Sequence, residues 1–379
     1  MGFNMRISLK HIGLLMVLAL LGFLPAQPSM ASLTPHSPIR ISSNADFTVA
    51  NGVTGGSGTP ADPYIIEGWA ITEAEIGKDY GIWLENTDAH VVIRNCLVIP
   101  SYTGIRLEHV ANVVIENVTV NGGHQGLYVY NSTCVTVSGS DISHIVGDVV
   151  LLHSSTNVKV ENCQMGEGRY YSLYMQHVNN ANVENCEIYN SLYGVYAESS
   201  TNISINNCKI HDNDGTGVYF YSVLNSTVSN CLIHFNEDHG IYLDVSDYIT
   251  IEYCDVRNSS LGIWLNPAFN CEIHYNNFIN IHQNAQDDGQ QNNWDRNYWS
   301  DYRGADANND GYGDTPYTIV GSANVKDNMP LMQVIPEIPN PLILLLTITF
   351  IGIAVYILKN QLKTNKSIDI KMELGMEMN

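Results

Sequence analysis

Tyr80-Gly81-Ile82-Trp83-Leu84, Thr103-Gly104-Ile105-Arg106-Leu107 and Gln125-Gly126-Leu127-Tyr128-Val129 are three copies of one short pattern. It returns as Tyr193-Gly194-Val195-Tyr196-Ala197, Thr216-Gly217-Val218-Tyr219-Phe220, His239-Gly240-Ile241-Tyr242-Leu243 and Leu261-Gly262-Ile263-Trp264-Leu265, with a period of 22 to 24 residues. Two degenerate copies, Gly147-Asp148-Val149-Val150-Leu151 and Tyr171-Ser172-Leu173-Tyr174-Met175, fill the gap at the same spacing. About 11 residues into each copy comes a second alternating strand, such as Val91-Val92-Ile93 or Ile249-Thr250-Ile251, and a third follows a turn. A strand this short cannot bury its apolar face alone, so a fixed period means coils that stack and complete one another's ladder and core. The pattern predicts an all-β, single-stranded parallel β-helix of about nine coils between Gly81 and Gln283. Right-handed winding is the expected hand for parallel crossovers. A leucine-rich solenoid is excluded, because its Leu-x-x-Leu-x-Leu signature is absent and the turns are rich in Asn and Gly.

Register gives each side chain a direction. Counting from the pattern's Gly, positions +1 and +3 are apolar and face inward, so +2 and +4 face out. The +2 column reads Trp83, Arg106, Tyr128, Val150, Tyr174, Tyr196, Tyr219, Tyr242 and Trp264. Beside it, at +4, run Glu85, Glu108, Tyr130, Leu152, Gln176, Glu198, Tyr221, Asp244 and Asn266. A further column, Cys96, Val118, Ser140, Cys163, Cys186, Cys208, Cys231, Cys254 and Asn276, is small and reads as internal. Thiols stacked at about 4.8 Å are too far apart for a disulfide, whose Cβ atoms lie about 3.8 Å apart. They also line up rather than converge, so they read as free, packed thiols and not as a metal site. One residue earlier, Asn95, Asn117, Asn162, Asn185, Asn207 and Asn230 read as a structural amide ladder.

The +2 column is an aromatic stripe flanked by acceptors. Sugar rings offer C–H faces to aromatics and hydroxyls to carboxylates, which makes Trp83, Tyr128, Tyr174, Tyr196, Tyr219, Tyr242 and Trp264 the expected ligand-binding residues. The plain alternative is a ladder that only supports the sheet, through pairs worth about 0.2–1 kcal/mol each. Carboxylates that cleave a glycosidic bond lie about 5 to 9 Å apart, one or two coils here, so Glu198 and Asp244 are catalytic candidates on distance alone. Asp212, Asp214, Glu237 and Asp238, with His211 and His234, fall in turns of adjacent coils, where they either bind a cation, act as acid and base, or are merely solvated. His109, His153 and His177 read as one loose surface column. Asp306-Ala307-Asn308-Asn309-Asp310-Gly311-Tyr312-Gly313-Asp314 matches a calcium loop in its alternating oxygen ligands Asp306, Asn308, Asp310, Tyr312 and Asp314 and in its Gly. Tyr317 stands where a bidentate Glu is expected, so the reading is either a Ca²⁺ site without paired helices or an Asp/Asn-rich turn.

The chain ends place the rod. Residues 1–31 carry Arg6 and Lys10, an apolar run from Ile12 to Leu24 and a small-x-small Ser29-Met30-Ala31, the form of a signal peptide. Leu342 to Leu358 is apolar for 17 residues and is followed by Lys359, Lys363 and Lys366, which predicts a transmembrane helix with the C-terminus in the cytoplasm. The expected layout is a cap segment at 32–79, repeats at 80–283 and a C-terminal cap with the Asp-rich loop at 284–335. A Pro-rich linker at 336–341, the membrane helix at 342–358 and a tail at 359–379 complete it. A formal charge of −21 excludes a nucleic-acid partner by phosphate repulsion. Asn117, Asn131, Asn202, Asn225 and Asn258 each begin an N-x-S/T sequon.

Asn293-Trp294, Asn297-Tyr298-Trp299-Ser300-Asp301-Tyr302, Asp314-Thr315-Pro316-Tyr317 and Asp327-Asn328-Met329-Pro330-Leu331-Met332 resemble the ends of NosD-type right-handed β-helix proteins of archaeal surfaces. Asp62-Pro63-Tyr64-Ile65-Ile66-Glu67-Gly68 resembles their opening strand, and the repeats resemble the wider group of carbohydrate-binding and sugar-hydrolase β-helices that includes pectate lyases. The resemblance implies the fold, a surface location and carbohydrate as partner. NosD proteins are tied to copper-site maturation, but no Cys-x-x-Cys, His-x-His or Met-rich cluster stands here, so copper is not carried over. No pectate-lyase catalytic pattern is present either. The expected function is a membrane-tethered, cell-surface β-helix that binds extended glycans or surface proteins without catalysis. A polysaccharide lyase or glycoside hydrolase is the alternative, and a structural envelope spacer the second.

Overall fold

A computed structural model describes residues 33–72, 79–280 and 282–336. The expected signal peptide, membrane segment and inner tail lie outside these residues, and among the described residues no helix is long and apolar enough to cross a membrane. The described residues up to Ile335 form one compact unit.

Each coil gives three strands to three stacks. Tyr193–Glu198, Thr201–Asn206 and Lys209–His211 pair in parallel with Tyr171–Gln176, Asn179–Glu184 and Glu187–Tyr189 of the coil before. The third stack is a sheet of twelve strands in strict chain order, from Thr34–Pro35 to Tyr298–Trp299. In two coils the first and second strands run on as one, Thr103–Glu116 and His239–Glu252. The solenoid is one coil longer at each end than its period predicts. Ile39–Ile41, Tyr64–Glu67 and Trp69–Ile71 form a coil before Tyr80, and Gln283–Asp287, Asn293–Asp295 and Tyr298–Trp299 form one after Ile279. Neither carries the pattern's Gly: register puts Pro38 and Asn284 in its place.

The glycines are not turn residues, as their regular placement had implied. All but Gly217, which stands just before its strand, lie inside the first strands, where a Cβ at Gly104 would stand 2.4 Å from the Gly126 carbonyl oxygen and 2.4 Å from Val120 Cγ1. Close approach of coil to coil is therefore what selects Gly. Where Gly is absent the register reads differently from its sequence alignment. Gln125 pairs with Asp148 and Tyr128 with Leu151, so Val149 takes the Gly place, Leu151 and not Val150 joins the outward +2 column, and His153 and not Leu152 joins +4. Val150 and Leu152 are buried. The repeat spacing puts Asp148 in the Gly place, one residue early, and Gly147 belongs to the turn before the strand.

Turns are made by single residues in the left-handed region. Asn95, Asn117, Asn162, Asn185, Asn207 and Asn230 all have φ between 51° and 56°. Asn tolerates this backbone because its short polar side chain can bond locally. The amide ladder exists as well, with Asn117 donating to Asn95 and Asn207 to Asn185 at 2.6 Å each, while Asn230 reaches Asn206 at 2.8 Å. The residue after each such corner is buried, and wherever it is Cys it ties the corner down. Cys96, Cys163 and Cys186 each donate to the carbonyl two residues back at 3.2 Å. At another corner Ser132, Ser155, Ser200 and Ser246 do the same at 2.8–3.0 Å. All eight cysteines are free, and Cys134 is the exposed one. Burial pushes the Cys96 thiol up to about 11 and that of Cys271 up to about 12.

The motif-rich C-terminal end closes the rod. Trp294 and Trp299 are buried against Phe278, and Tyr317 stacks on Trp299 at 4.2 Å. Two fully buried carboxylates hold this plug. Asp287 accepts from the Trp294 indole and from Gly289 N, both at 2.8 Å, and from Asn292 Nδ2 at 2.9 Å. Asp327 accepts from Trp299 Nε1 at 3.0 Å, Asn297 N at 2.8 Å and Arg296 N at 3.1 Å. The expected result of Gly104→Ala is a loss of about 1–3 kcal/mol in urea unfolding with an unchanged m-value, because the opposing carbonyl belongs to backbone and must shift.

Candidate ligand-binding face

The outer surface of the first stack carries three outward columns, one more than the sequence reading placed. In register with the residue before each Gly run Tyr80, Thr103, Gln125, Asp148, Tyr171, Tyr193, Thr216, His239, Leu261 and Gln283, of which Thr103 and Thr216 are covered by their neighbours. This column widens the stripe into a patch. Tyr171 lies 4.7 Å from Tyr174, 5.5 Å from Tyr193 and 5.2 Å from Tyr196. Tyr193 continues to Tyr219 at 5.9 Å, and His239 to Tyr242 and Trp264 at 5.1 and 5.6 Å. Its signal was present in the Tyr or His that precedes several of the glycines.

The structure brings five of the seven expected ligand-binding residues together and sets two apart. Tyr219, Tyr242 and Trp264 stack at 4.6 and 5.0 Å with interplanar angles of 27° and 19°. Tyr196 breaks that run, lying at 86° to Tyr219 and 68° to Tyr174. The face therefore presents one ring turned across its neighbours, between columns that show edges and hydroxyls. Trp83 is different: Arg40 from the coil below and Arg106 from the coil above sit over its ring at 4.2 and 4.5 Å, closing both faces to a ligand. Tyr128 is parted from Tyr174 by Leu151.

Two phenol hydroxyls of the patch are anchored to flanking carboxylates. Tyr174 donates to Glu198 Oε2 at 2.9 Å and Tyr219 to Asp244 Oδ2 at 3.2 Å. Burial and the neighbouring Glu198 charge push Tyr196 up to about 12, and burial with the adjacent carboxylates raises Tyr174 and Tyr219 further. All three remain neutral donors. Glu198 and Asp244 are two coils apart, with Tyr221 between them. That spacing is about 9–10 Å, too wide for a nucleophilic carboxylate pair and at the upper edge for a water-activating one. The carboxyl that stands out is Asp148, absent from the sequence candidates. Its Oδ1 is buried without a hydrogen-bond partner, and burial raises its pKa although the His124 charge opposes it.

Other candidates are dispersed. His211 bonds Asp212 at 2.5 Å and Glu187 at 3.1 Å on the third stack, and His234 stacks on it at 5.1 Å. Asp214, Glu237 and Asp238 are exposed. His109 and His177 do share a corner column, but His153 lies one residue off it, in register with Tyr130. The Asp-rich loop offers the hard oxygen donors that Ca²⁺ takes. Its side chains, however, turn to the loop's own amides: Asp306 accepts from Asp310 N at 3.1 Å and Gly311 N at 3.0 Å, and Asp310 from Tyr312 N at 3.0 Å. Among the described residues no three His, Cys, Asp or Glu converge to hold a metal.

Residues 65–183 and 149–297 match the family described as right handed beta helix region, and the chain belongs to it. A sequence comparison with curated proteins finds no match. Among solved structures, the chain is similar to the mannuronan C-5 epimerase AlgE4 A-module of Azotobacter vinelandii, at 13% identity over 71% of this chain and 86% of that one, with a TM-score of 0.38. It is similar to DFA-IIIase from Arthrobacter chlorophenolicus A6 at 10% identity, over 72% of each chain, with a TM-score of 0.48. Tailspike protein 2 of Escherichia coli O157:H7 bacteriophage CAB120 follows at 12% identity, over 64% of this chain and 38% of that one, with a TM-score of 0.46. Likenesses of this size carry no argument about what this chain binds.

Burial lowers the pKa of His153, of His234 and of His239, which sits against Tyr242 and Trp264. The unfolded chain takes up protons near 6.5 that the folded chain resists, so stability rises with pH through that value. The melting temperature is expected to fall between pH 7.5 and 5.5, and His239→Gln is expected to flatten the fall.

Proposed function

We propose that this chain binds an extended glycan along the aromatic face from Tyr171 to Trp264 without catalysing a reaction, displayed at the cell surface by its C-terminal apolar segment. The observation that carries the reading is the continuous patch of tyrosines with hydroxyl–carboxylate pairs at Glu198 and Asp244. Ring edges and the face of Tyr196 offer apolar contact to sugar C–H groups, and the fixed acceptors offer partners to sugar hydroxyls. Glycan-array binding by the purified protein, lost in Tyr196→Ala/Tyr219→Ala with the melting curve unchanged, is the expected result. No binding to any glycan would remove this reading and leave the envelope spacer.

The enzymatic alternative has one observation of its own, the half-buried Asp148 carboxyl with its unpartnered oxygen. Release of reducing or unsaturated ends, abolished by Asp148→Asn, Glu198→Gln or Asp244→Asn, would establish it. Calcium at Asp306–Asp314 is a separate part of the proposal. The loop amides must be released from the carboxylates, so the affinity is that of an extracellular module, about 0.1–1 mM. The melting temperature is expected to drop in EDTA and return with Ca²⁺, and identical curves would rule the site out.

A further inference from the structure

The outer aromatic face does not extend usefully to the N-terminal coils, where Leu151 interrupts it and the two arginines close Trp83. In these coils the surface is concave instead, at the corner where the first strand turns into the second. A depression of about 560 Å³ there is bordered by Asn86, Asp88, His109, Asn131 and Ser154. We propose that this corner groove is a second carbohydrate subsite, holding the end of a neutral glycan whose remainder lies on the aromatic face. The inference rests on the glycan reading above.

Three observations support it. The floor is complete without a ligand: Val110 N donates to Ser132 Oγ at 3.2 Å, Ser132 N to Ser155 Oγ at 3.1 Å, and the Thr133 and Thr156 hydroxyls pair at 3.0 Å. The rim is not. The side chains of Asn86, His109, Asn131 and Ser154 make no hydrogen bond to the described residues, and their backbones are held in the left-handed corner with φ from 45° to 55°. Amides, imidazole and hydroxyl both donate and accept, as sugar hydroxyls require, and their fixed corners limit the ordering cost of binding. Neither Lys nor Arg lines the groove and Asp88 is its one carboxylate, so an anion is disfavoured. The volume falls within the range of small-ligand sites.

The groove is also continuous with the face. Its corner residues directly follow the +4 column in the chain, and there a second chain of rings begins where the tyrosine column breaks. His177 meets His153 at 6.0 Å, His153 stacks on Tyr130 at 5.1 Å, and Tyr130 meets His109 edge-on at 5.5 Å. His153 Nδ1 within this chain is buried and unpartnered. A glycan leaving the face near Gln176 would cross these rings to reach the groove.

The test is calorimetric titration of the purified protein with neutral β-1,4-linked glucose, mannose and N-acetylglucosamine oligomers of increasing length. Ala111→Trp fills the groove from a strand position, and His109→Asn removes its ring while keeping a residue that tolerates the corner. Affinity for the best-binding series is expected to rise with length, and both variants to lower it about tenfold for the long oligomers alone. Unchanged long-oligomer affinity in both variants would overturn the groove, and the face reading would stand if Tyr196→Ala/Tyr219→Ala still abolished binding. No binding of any oligomer by the unaltered protein would overturn both.

Discussion

Everything in this molecule hangs on the hydrogen-bond ladder that runs from coil to coil along the rod. It fixes the spacing of backbones near 4.8 Å, and every other constraint follows from that one distance. Gly is required where the first strands come close to both the next coil and the third stack, as at Gly104. Thiols, hydroxyls and amides recur just behind the corners, where they fill the inner angle and also satisfy the carbonyl two residues back, while Val110, Val118, Val178 and Val223 fill it by packing alone. The same distance turns a column of tyrosines on the outside into a stack, since rings on successive coils arrive within reach of one another.

That packing governs what the outer face can do. An aromatic residue repeated in every coil spends its ring faces on its neighbours, so a long uniform column shows edges to solvent. Tyr196 escapes because Tyr171 and Tyr193 crowd it from the adjacent column and turn it across the run. Carboxylates at the end of the strand then serve first as anchors for the phenols.

The repeat, the inward and outward sense of the Gly-marked strands, the internal thiols and the aromatic stripe are all legible in the sequence, because each is a consequence of period and alternation. What was not legible lies where the period loses its marker. Without a Gly, the copy at Asp148 was aligned one residue early, which exchanged Val150 for Leu151 and Leu152 for His153 on the surface. The coils at Ile39 and Gln283 went unseen for the same reason. The Asn column was read as a ladder, although its left-handed backbone is the more general cause. Asp148 could not be singled out at all, since its burial depends on neighbours in two other coils.

The buried carboxylates at the C-terminal end have a consequence for the rod as a polymer. A bare last coil would present a row of free amides and carbonyls, a template for adding another chain. Here Asp287 N and O and the Asn297 carbonyl, which accepts from Leu331 N, are spent on the folded-back segment, which Asp327 pins through Trp299. The protein thus carries its own terminator, and a solenoid that is open-ended in geometry is held to a single finite length.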